Sequence, residues 1–334
     1  MLRFPHLPEQ IFQKLNNKSL FKFRVVARSW QNLIDARNYP WLRIVNIPTI
    51  LENGNTYLHL AAETGQIEAF KTAFNKEKDK DIKNKEGETS FHLACKNGRF
   101  VIVHLLLKNT DLEFDVNAKD SLGKTAFGLA CWKGHSCVVK ILIENAAAFN
   151  IDLNTKDACT RTAFVWACVE GHTDVVKILM DNAAAFSINI NAMDQIGWTA
   201  FIWTCIFGHL DLVKVFMENA VTCGIDLNTK DNFGRPAFYY VCGQGRTEVV
   251  KIFMENSAVL RFDLNVKTNN GKTAFHTACF NCHLDVIKIF MDNAATLSID
   301  LNTKDNDGLT AFNIASMKGH SNVTKLFMER GAAI

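Results

Sequence analysis

Apolar and polar positions along the chain recur in a 37-residue cycle. From Thr125 the order T-A-F-G-L-A-C-W-K-G-H-S-C-V-V-K-I-L-I-E-N-A-A-A-F-N-I-D-L-N-T-K-D returns at Thr162, Thr199, Pro236, Thr273 and Thr310. Looser copies begin at Thr56 and Thr89, 33 and 36 residues before the next start. Repetition of this size predicts stacked modules that cannot bury their apolar faces alone. Within a copy, D-x-x-G (Asp120/Gly123, Asp194/Gly197, Asp231/Gly234, Asp305/Gly308) predicts a tight hairpin turn whose glycine takes a positive φ. The threonine hydroxyl that follows suits the N-cap of a first helix. Gly134-His135 breaks the chain, and V-V-K-I-L supplies a second helix with its apolar positions toward the stack.

The stretch A-A-A-F, as in Asn182-Ala183-Ala184-Ala185-Phe186, adds about one helical turn of the best helix former. It predicts a longer second helix, with Phe149 and Phe186 packed under the next hairpin. The competing expectation is that Asn182 ends the helix in a left-handed conformation and the extra residues form a loop.

Ahead of the repeats, residues 7–41 place Ile11, Phe12, Leu15, then Leu20, Phe23, Val26, then Trp30, Leu33, Ile34 at helical spacing. Asn16-Asn17 and Asn38-Tyr39-Pro40 punctuate them, so three short helices are expected, too small a piece to hold a sturdy core alone. The chain thus divides into a helical module at 1–45 and a repeat domain at 51–334.

Charge sharpens that division. Residues 1–48 carry eight Lys and Arg against two Asp and Glu, whereas the rest of the chain has 29 against 32, so a net charge of +3 overall hides a basic leader on an acidic array. A basic leader suits an acidic protein partner, a nucleic acid or plain solvation. No run nears the roughly 18 apolar residues of a membrane span, and no secretory signal is visible at the start. Six of the ten cysteines (Cys95, Cys131, Cys168, Cys205, Cys242, Cys279) fall six residues after a repeat start. Helices stacked about 8–10 Å apart are too distant for disulfides between such positions. They are expected as small buried hydrophobes in the cytosol or nucleus.

Chemistry is thin. Gly123-Lys124-Thr125 and Gly271-Lys272-Thr273 lack the upstream glycine of a phosphate loop, which is Ala118 and Val266 here. His276, Cys279, Cys282 and His283 lie close together, but Cys279 belongs to the buried phase and no second C-x-x-C exists to complete a zinc site. No nucleophile, base and acid stand out from the repeat phase, so no catalysis, cofactor or metal is expected.

The array resembles the ankyrin repeat over residues 51–334, in eight units, on T-x-F-x-x-A-C, G-H, V-V-K and D-L-N in fixed order. The resemblance implies an all-α solenoid of paired helices with short β-hairpin loops, and binding through hairpin tips and exposed first-helix positions on the concave face. It departs from the family at the first helical position, where Ala replaces proline. It departs also at the histidine of T-P-L-H, kept at His59, His92 and His276 but changed to Gly128, Val165, Ile202 and Tyr239. Loss of that histidine implies that the middle of the array leans on apolar packing. Cys282 in place of the turn glycine implies a strained turn. The Asn of D-L-N (Asn154, Asn191, Asn228, Asn265, Asn302) is expected to brace the hairpin through backbone hydrogen bonds.

The leader resembles an F-box on Leu7-Pro8, Ile11, Leu15, Ser19-Leu20, Val26, Arg28, Trp30, Leu33 and Trp41. It is about one helical turn short between Pro8 and Leu20, a length that Phe4-Pro5 would largely restore. The resemblance implies docking of Leu7, Pro8, Ile11, Leu15, Leu20, Val26 and Trp30 on the Skp-type adaptor of a cullin–RING ubiquitin ligase. The protein would then be a non-catalytic substrate-recognition subunit, with neither nucleic acid nor membrane as partner. Its protein target would meet Trp132, Arg161, Ile196, Trp198, Ile206, Phe207, Phe233, Arg235 and Phe280. The rings among these predict a contiguous exposed apolar patch, whereas Trp166, Trp203 and Tyr240 are expected to pack inward.

Overall fold

A computed structural model describes residues 53–108 and 114–330. The leader helices, all seven adaptor-facing positions and the terminal Gly331-Ala332 lie outside these residues. The chain divides into two compact units, one ending at Ser121 and the other beginning at Leu122.

The described part of the first unit is two helical pairs, α1 (Tyr57–Thr64) with α2 (Ile67–Lys76) and α3 (Ser90–Lys96) with α4 (Phe100–Lys108). The second unit repeats the plan: α5 (Ala126–Trp132) and α6 (Ser136–Glu144), α8 (Ala163–Val169) and α9 (Thr173–Asp181), α11 (Ala200–Phe207) and α12 (Leu210–Asn219). There follow α13 (Ala237–Gly243) and α14 (Thr247–Glu255), α16 (Ala274–Phe280) and α17 (Leu284–Asn293), and α18 (Ala311–Met317) and α19 (Ser321–Glu329). Single extra turns follow three of the second helices: α7 (Ala146–Phe149), α10 (Ala183–Phe186) and α15 (Ser257–Leu260). Within the second unit, first helices pack on first helices in chain order, and so do the second helices through α17.

The repeated threonines start the first helices as their chemistry dictates. Thr125, Thr162 and Thr199 accept the backbone N–H three residues on, at 3.2, 3.5 and 3.3 Å. Pro236 has no hydroxyl and α13 begins without a side-chain cap. Two residues after the starts from Thr89 to Thr273, Phe91, Phe127, Phe164, Phe201, Phe238 and Phe275 are buried. Phe201 lies 5.4 Å from Phe216 and 5.8 Å from Phe253, and Phe238 lies 5.3 Å from Phe253 and 5.7 Å from Phe290. Each first-helix ring thus sits between its own second helix and the next one, so every repeat completes its neighbour's core. Burying such a ring stabilises by roughly 2–3 kcal/mol. The six in-phase cysteines are fully buried free thiols, and burial raises the thiol pKa of Cys95, Cys168, Cys205, Cys242 and Cys279.

The hairpins are turns rather than strands. Among the described residues no strand forms, and a single antiparallel bridge joins Lys230 and Pro236. The loop closes with two backbone bonds, as from Asp194 N–H to the Trp198 carbonyl and from Gly197 N–H to the Asp194 carbonyl, both at 3.0 Å, and the helix starts at once, leaving no residues to extend the ladder. Successive tips are joined instead: the Ala158, Asn232, Asn269 and Asn306 amides donate to the Leu122, Ile196, Phe233 and Asn270 carbonyls at 2.9–3.3 Å.

The A-A-A-F insertion forms neither a smooth extension nor an irregular loop. Asn145, Asn182 and Asn256 end the second helices at φ near −100°. Each donates its side-chain amide to the carbonyl four residues back, at 2.8 Å. Asn219 and Asn293 make the same bond at 2.8 Å in helices that run through them, so the bond accompanies the break without causing it. The extra turn closes with a bond across its end, as from Ile188 N–H to the Ala183 carbonyl at 2.9 Å, around Ser187 in the left-handed region. In the other two long units α12 and α17 run one residue further, to Asn219 and Asn293. Phe149 and Phe186 are half-buried, and the core positions are the isoleucines just beyond, Ile151 and Ile188.

The D-L-N asparagines use this turn. Asn154 donates to the Ser187 carbonyl at 2.9 Å and accepts the Asn189 N–H at 2.7 Å; Asn265 does the same with Ser298 and Asp300, both at 2.9 Å. They therefore brace the next repeat rather than their own hairpin. A second ladder offsets the missing T-P-L-H histidines. His172, His209 and His283 donate from Nε2 to the Trp132, Val169 and Gly243 carbonyls at 2.9–3.0 Å, and Arg246 reaches the Ile206 carbonyl at 3.3 Å. The middle of the array is thus tied by hydrogen bonds as well as by packing, through the G-H histidines His172 and His209 and, in the unit that carries Tyr239, through Arg246 in the histidine's place. Cys282 takes φ 59°, as its glycine replacement implies, and Thr160 takes φ 61° in a hairpin where other units have glycine.

Candidate protein-interaction surface

In the second unit, first-helix starts and hairpin tips build one repeating motif. The hairpin aspartate points one oxygen into its own turn: Asp194 Oδ1 accepts the Ile196 and Trp198 amides at 3.0 Å, and Asp231 Oδ1 accepts Phe233 and Arg235 at 2.9 and 2.8 Å. The other oxygen accepts from the aromatic residue nine positions on. Trp166 Nε1 donates to Asp157 at 2.7 Å, Trp203 Nε1 to Asp194 at 3.0 Å, and the Tyr240 hydroxyl to Asp231. Burial, and then the Asp231 carboxylate, raises the Tyr240 pKa above its ordinary value.

The residue before each helix start lies across these rings. Lys124 Nζ sits 4.0 and 3.9 Å from the Trp132 and Trp166 ring centres, and the Arg161 guanidinium sits 4.9 and 4.4 Å from Trp166 and Trp203. Trp198 takes the same place one unit on, edge to face with Trp203 at 4.6 Å and Tyr240 at 5.0 Å. Its indole N–H donates to the Tyr240 oxygen at 2.9 Å and to Asp231 at 3.2 Å. Arg235 follows, over Phe233 at 4.2 Å, with Nε 3.7 Å from Asp231. Cations and rings therefore alternate along the face, each cation–ring contact worth about 0.5–2 kcal/mol depending on its desolvation.

The structure sorts the predicted target-facing residues. Phe207, Phe233 and Phe280 are exposed, at 43 %, 51 % and 41 %. Trp132, Arg161, Ile196, Trp198, Ile206 and Arg235 are half-buried. The exposed apolar patch is accordingly narrower than the pattern implies, since Trp198 is a bridge between two units with its one polar atom already bonded. Sequence reasoning also missed the aspartates as the hub of this face; their nine-residue offset from Trp166, Trp203 and Tyr240 was the available signal. Three of the four zinc-like residues are otherwise engaged: His276 accepts from the Thr273 amide at Nδ1 and donates to the Leu309 carbonyl, His283 bonds to Gly243, and Cys279 is buried, while Cys282 is a half-buried free thiol. Burial lowers the His276 pKa, which keeps its ring neutral. Among the described residues no helix is long and apolar enough to cross a membrane.

Stacked helical pairs that close one another's cores and present a row of hairpin tips define a repeat module for holding another protein. The family model for ankyrin repeats matches residues 58–157, 148–231, 216–305 and 259–334, and the chain belongs to the ankyrin-repeat family. An F-box domain model matches residues 6–42, so the chain joins an F-box to an ankyrin array. Both are non-catalytic interaction modules, and together they make the chain a protein-interaction adaptor. One curated relative, alpha-latroinsectotoxin-Lt1a of Latrodectus tredecimguttatus, is 32 % identical over 81 residues, 24 % of this chain. The match spans 6 % of the toxin's length.

Proposed function

We propose that this adaptor is the substrate-recruiting subunit of a cullin–RING ubiquitin ligase, acting in the cytosol or nucleus. The F-box match at residues 6–42 in the same chain as the ankyrin array carries the proposal. Leu7, Pro8, Ile11, Leu15, Leu20, Val26 and Trp30 would bind the Skp-type adaptor. Hairpin tips and first helices, among them Phe207, Phe233 and Phe280, would hold the target. The chemistry is proximity: two binding sites on one chain raise the target's effective concentration at the ligase, and the chain itself breaks no covalent bond.

The test is a pull-down of purified Skp-type adaptor by the full chain, against a Leu7→Ala, Pro8→Ala, Leu15→Ala triple variant. Retention by the first and loss by the second is the expected result. Equal retention, or none by either, removes the ligase role and leaves an ankyrin scaffold with a helical leader.

A further inference from the structure

The ring column ends inside the second unit. Five residues into their units, Trp166, Trp203 and Tyr240 fill the space between neighbouring first helices, but the next two residues in that series are Thr277 and Ile314. Thr277 is too small to replace a ring. A groove of about 300 Å³ opens there, between α13, α16 and α18, with Arg235, Tyr239, Lys272, Thr277, Phe280 and Ile314 on its walls.

The charges on this groove differ from those beside it. Lys124 and Arg161 lie on rings, and Arg161 also faces Asp194 at 3.9 Å. Lys272 occupies the equivalent place with no ring beneath it. Its ammonium forms no ion pair or hydrogen bond among the described residues. Lys318 lies 4.4 Å over the Phe280 ring, likewise without a carboxylate. Arg235 has Asp231, which already accepts from Trp198, Tyr240 and two backbone amides. His276 on the groove wall is neutral and fully bonded. Three cations therefore stand around a cleft with tyrosine and phenylalanine walls, against two carboxylates: the saturated Asp231 and, behind His276, the buried Asp305, which forms no ion pair with Lys272.

We propose that this groove takes an acidic, extended segment of the recruited protein. A side-chain carboxylate would sit between Arg235 and Lys272, with neighbouring apolar groups against Tyr239 and Phe280. Charge complementarity selects the occupant, and burial beside aromatic walls strengthens each charge-assisted bond. The array as a whole carries 29 Lys and Arg against 32 Asp and Glu, so it cannot neutralise a long phosphate backbone, whereas a short acidic stretch needs only these local cations. The proposal rests on the reading that this face holds the ligase target, and its test does not involve the F-box.

The probe is a fluorescein-labelled, end-blocked Glu-Tyr-Glu-Glu-Tyr-Glu peptide, titrated into the full chain and followed by anisotropy at two salt concentrations. Saturable, salt-weakened binding is expected. It should fall about ten-fold or more with the all-Gln peptide, with Lys272→Glu and with Lys318→Glu, while melting temperatures stay unchanged. Lys177→Glu, an exposed charge on the second helix α9 and outside the groove, should bind the peptide normally. No binding, equal binding of the Gln peptide, or indifference to Lys272→Glu overturns the proposal. So does tighter binding of a hexameric oligouridylate with the same Lys272 dependence. If the peptide fails while adaptor pull-down succeeds, only the groove assignment falls; if the pull-down fails and the peptide binds, the groove stands without the ligase.

Discussion

Residues 157–240 and 268–314 share a backbone plan, a register and a phenylalanine core, yet their first-helix faces do opposite things. In the earlier stretch each hairpin carboxylate is saturated by its own turn and by an indole or phenol nine residues on, and the cations lie on rings. In the later stretch the hairpin hub is Thr268 and then Asp305, the ring positions hold Thr277 and Ile314, and Lys272 is left without a partner. Asp305 is 6 % exposed and one of its carboxylate oxygens has no hydrogen bond. One half of the face bonds its polar groups to one another, and the other leaves the Lys272 ammonium and one Asp305 oxygen without a hydrogen bond among the described residues. A repeat array separates the two tasks cheaply because the core phase and the face phase occupy different positions of the same 37-residue cycle.

The largest expected effect comes from removing a hub. Asp231→Ala strips the acceptor from Trp198, Tyr240 and two turn amides and should cost about 3 kcal/mol in chemical denaturation. Thr268→Ala, its counterpart one unit on, loses a single bond to the Lys272 amide and should cost about 1 kcal/mol. Equal losses would show that the carboxylate network is not what distinguishes the two halves.

Next in size is the contrast between two residues first expected to behave alike. Trp198→Ala should cost about 2 kcal/mol, because the indole bridges Trp203, Tyr240 and Asp231. Phe207→Ala should cost less than about 1 kcal/mol, its ring being 43 % exposed. Matching melting temperatures for the two variants would return Trp198 to the binding surface.

The smallest effect is a gain. Thr160 holds φ 61° with a β-branched side chain whose hydroxyl is buried and unbonded. Thr160→Gly should stabilise by about 1 kcal/mol by relieving left-handed strain. A loss of stability would mean that the hydroxyl is satisfied in solution.

Much of this was legible in the chain. The threonine caps, the fully buried cysteines and the buried phenylalanines all follow from one repeated phase, since a residue returning every 37 positions meets the same neighbours each time. The strained Cys282 turn was legible for the same reason, a single side chain standing where the cycle has glycine. The fate of A-A-A-F was not, because helix propensity favours continuation, whereas Asn145, Asn182 and Asn256 interrupt the helix at φ near −100° before one further turn. The exposure of Trp198 was not legible either: its partners are Asp231 and Tyr240, 33 and 42 residues away.

What the sequence by itself determined is everything periodic: the paired helices, their apolar faces, the caps, the turn glycines and the family they signify. Only the tertiary structure decided which polar groups meet across repeats. It made the D-L-N asparagines clamps on the next repeat, the G-H histidines ties to the preceding one, and the aspartates hubs for rings. The physical reason is distance along the chain. Local propensity acts within a turn or two of helix, whereas the asparagine, histidine and Trp198 bonds join residues some 33–42 positions apart and exist only once the repeats have stacked; the aspartate–ring bonds within a repeat span nine.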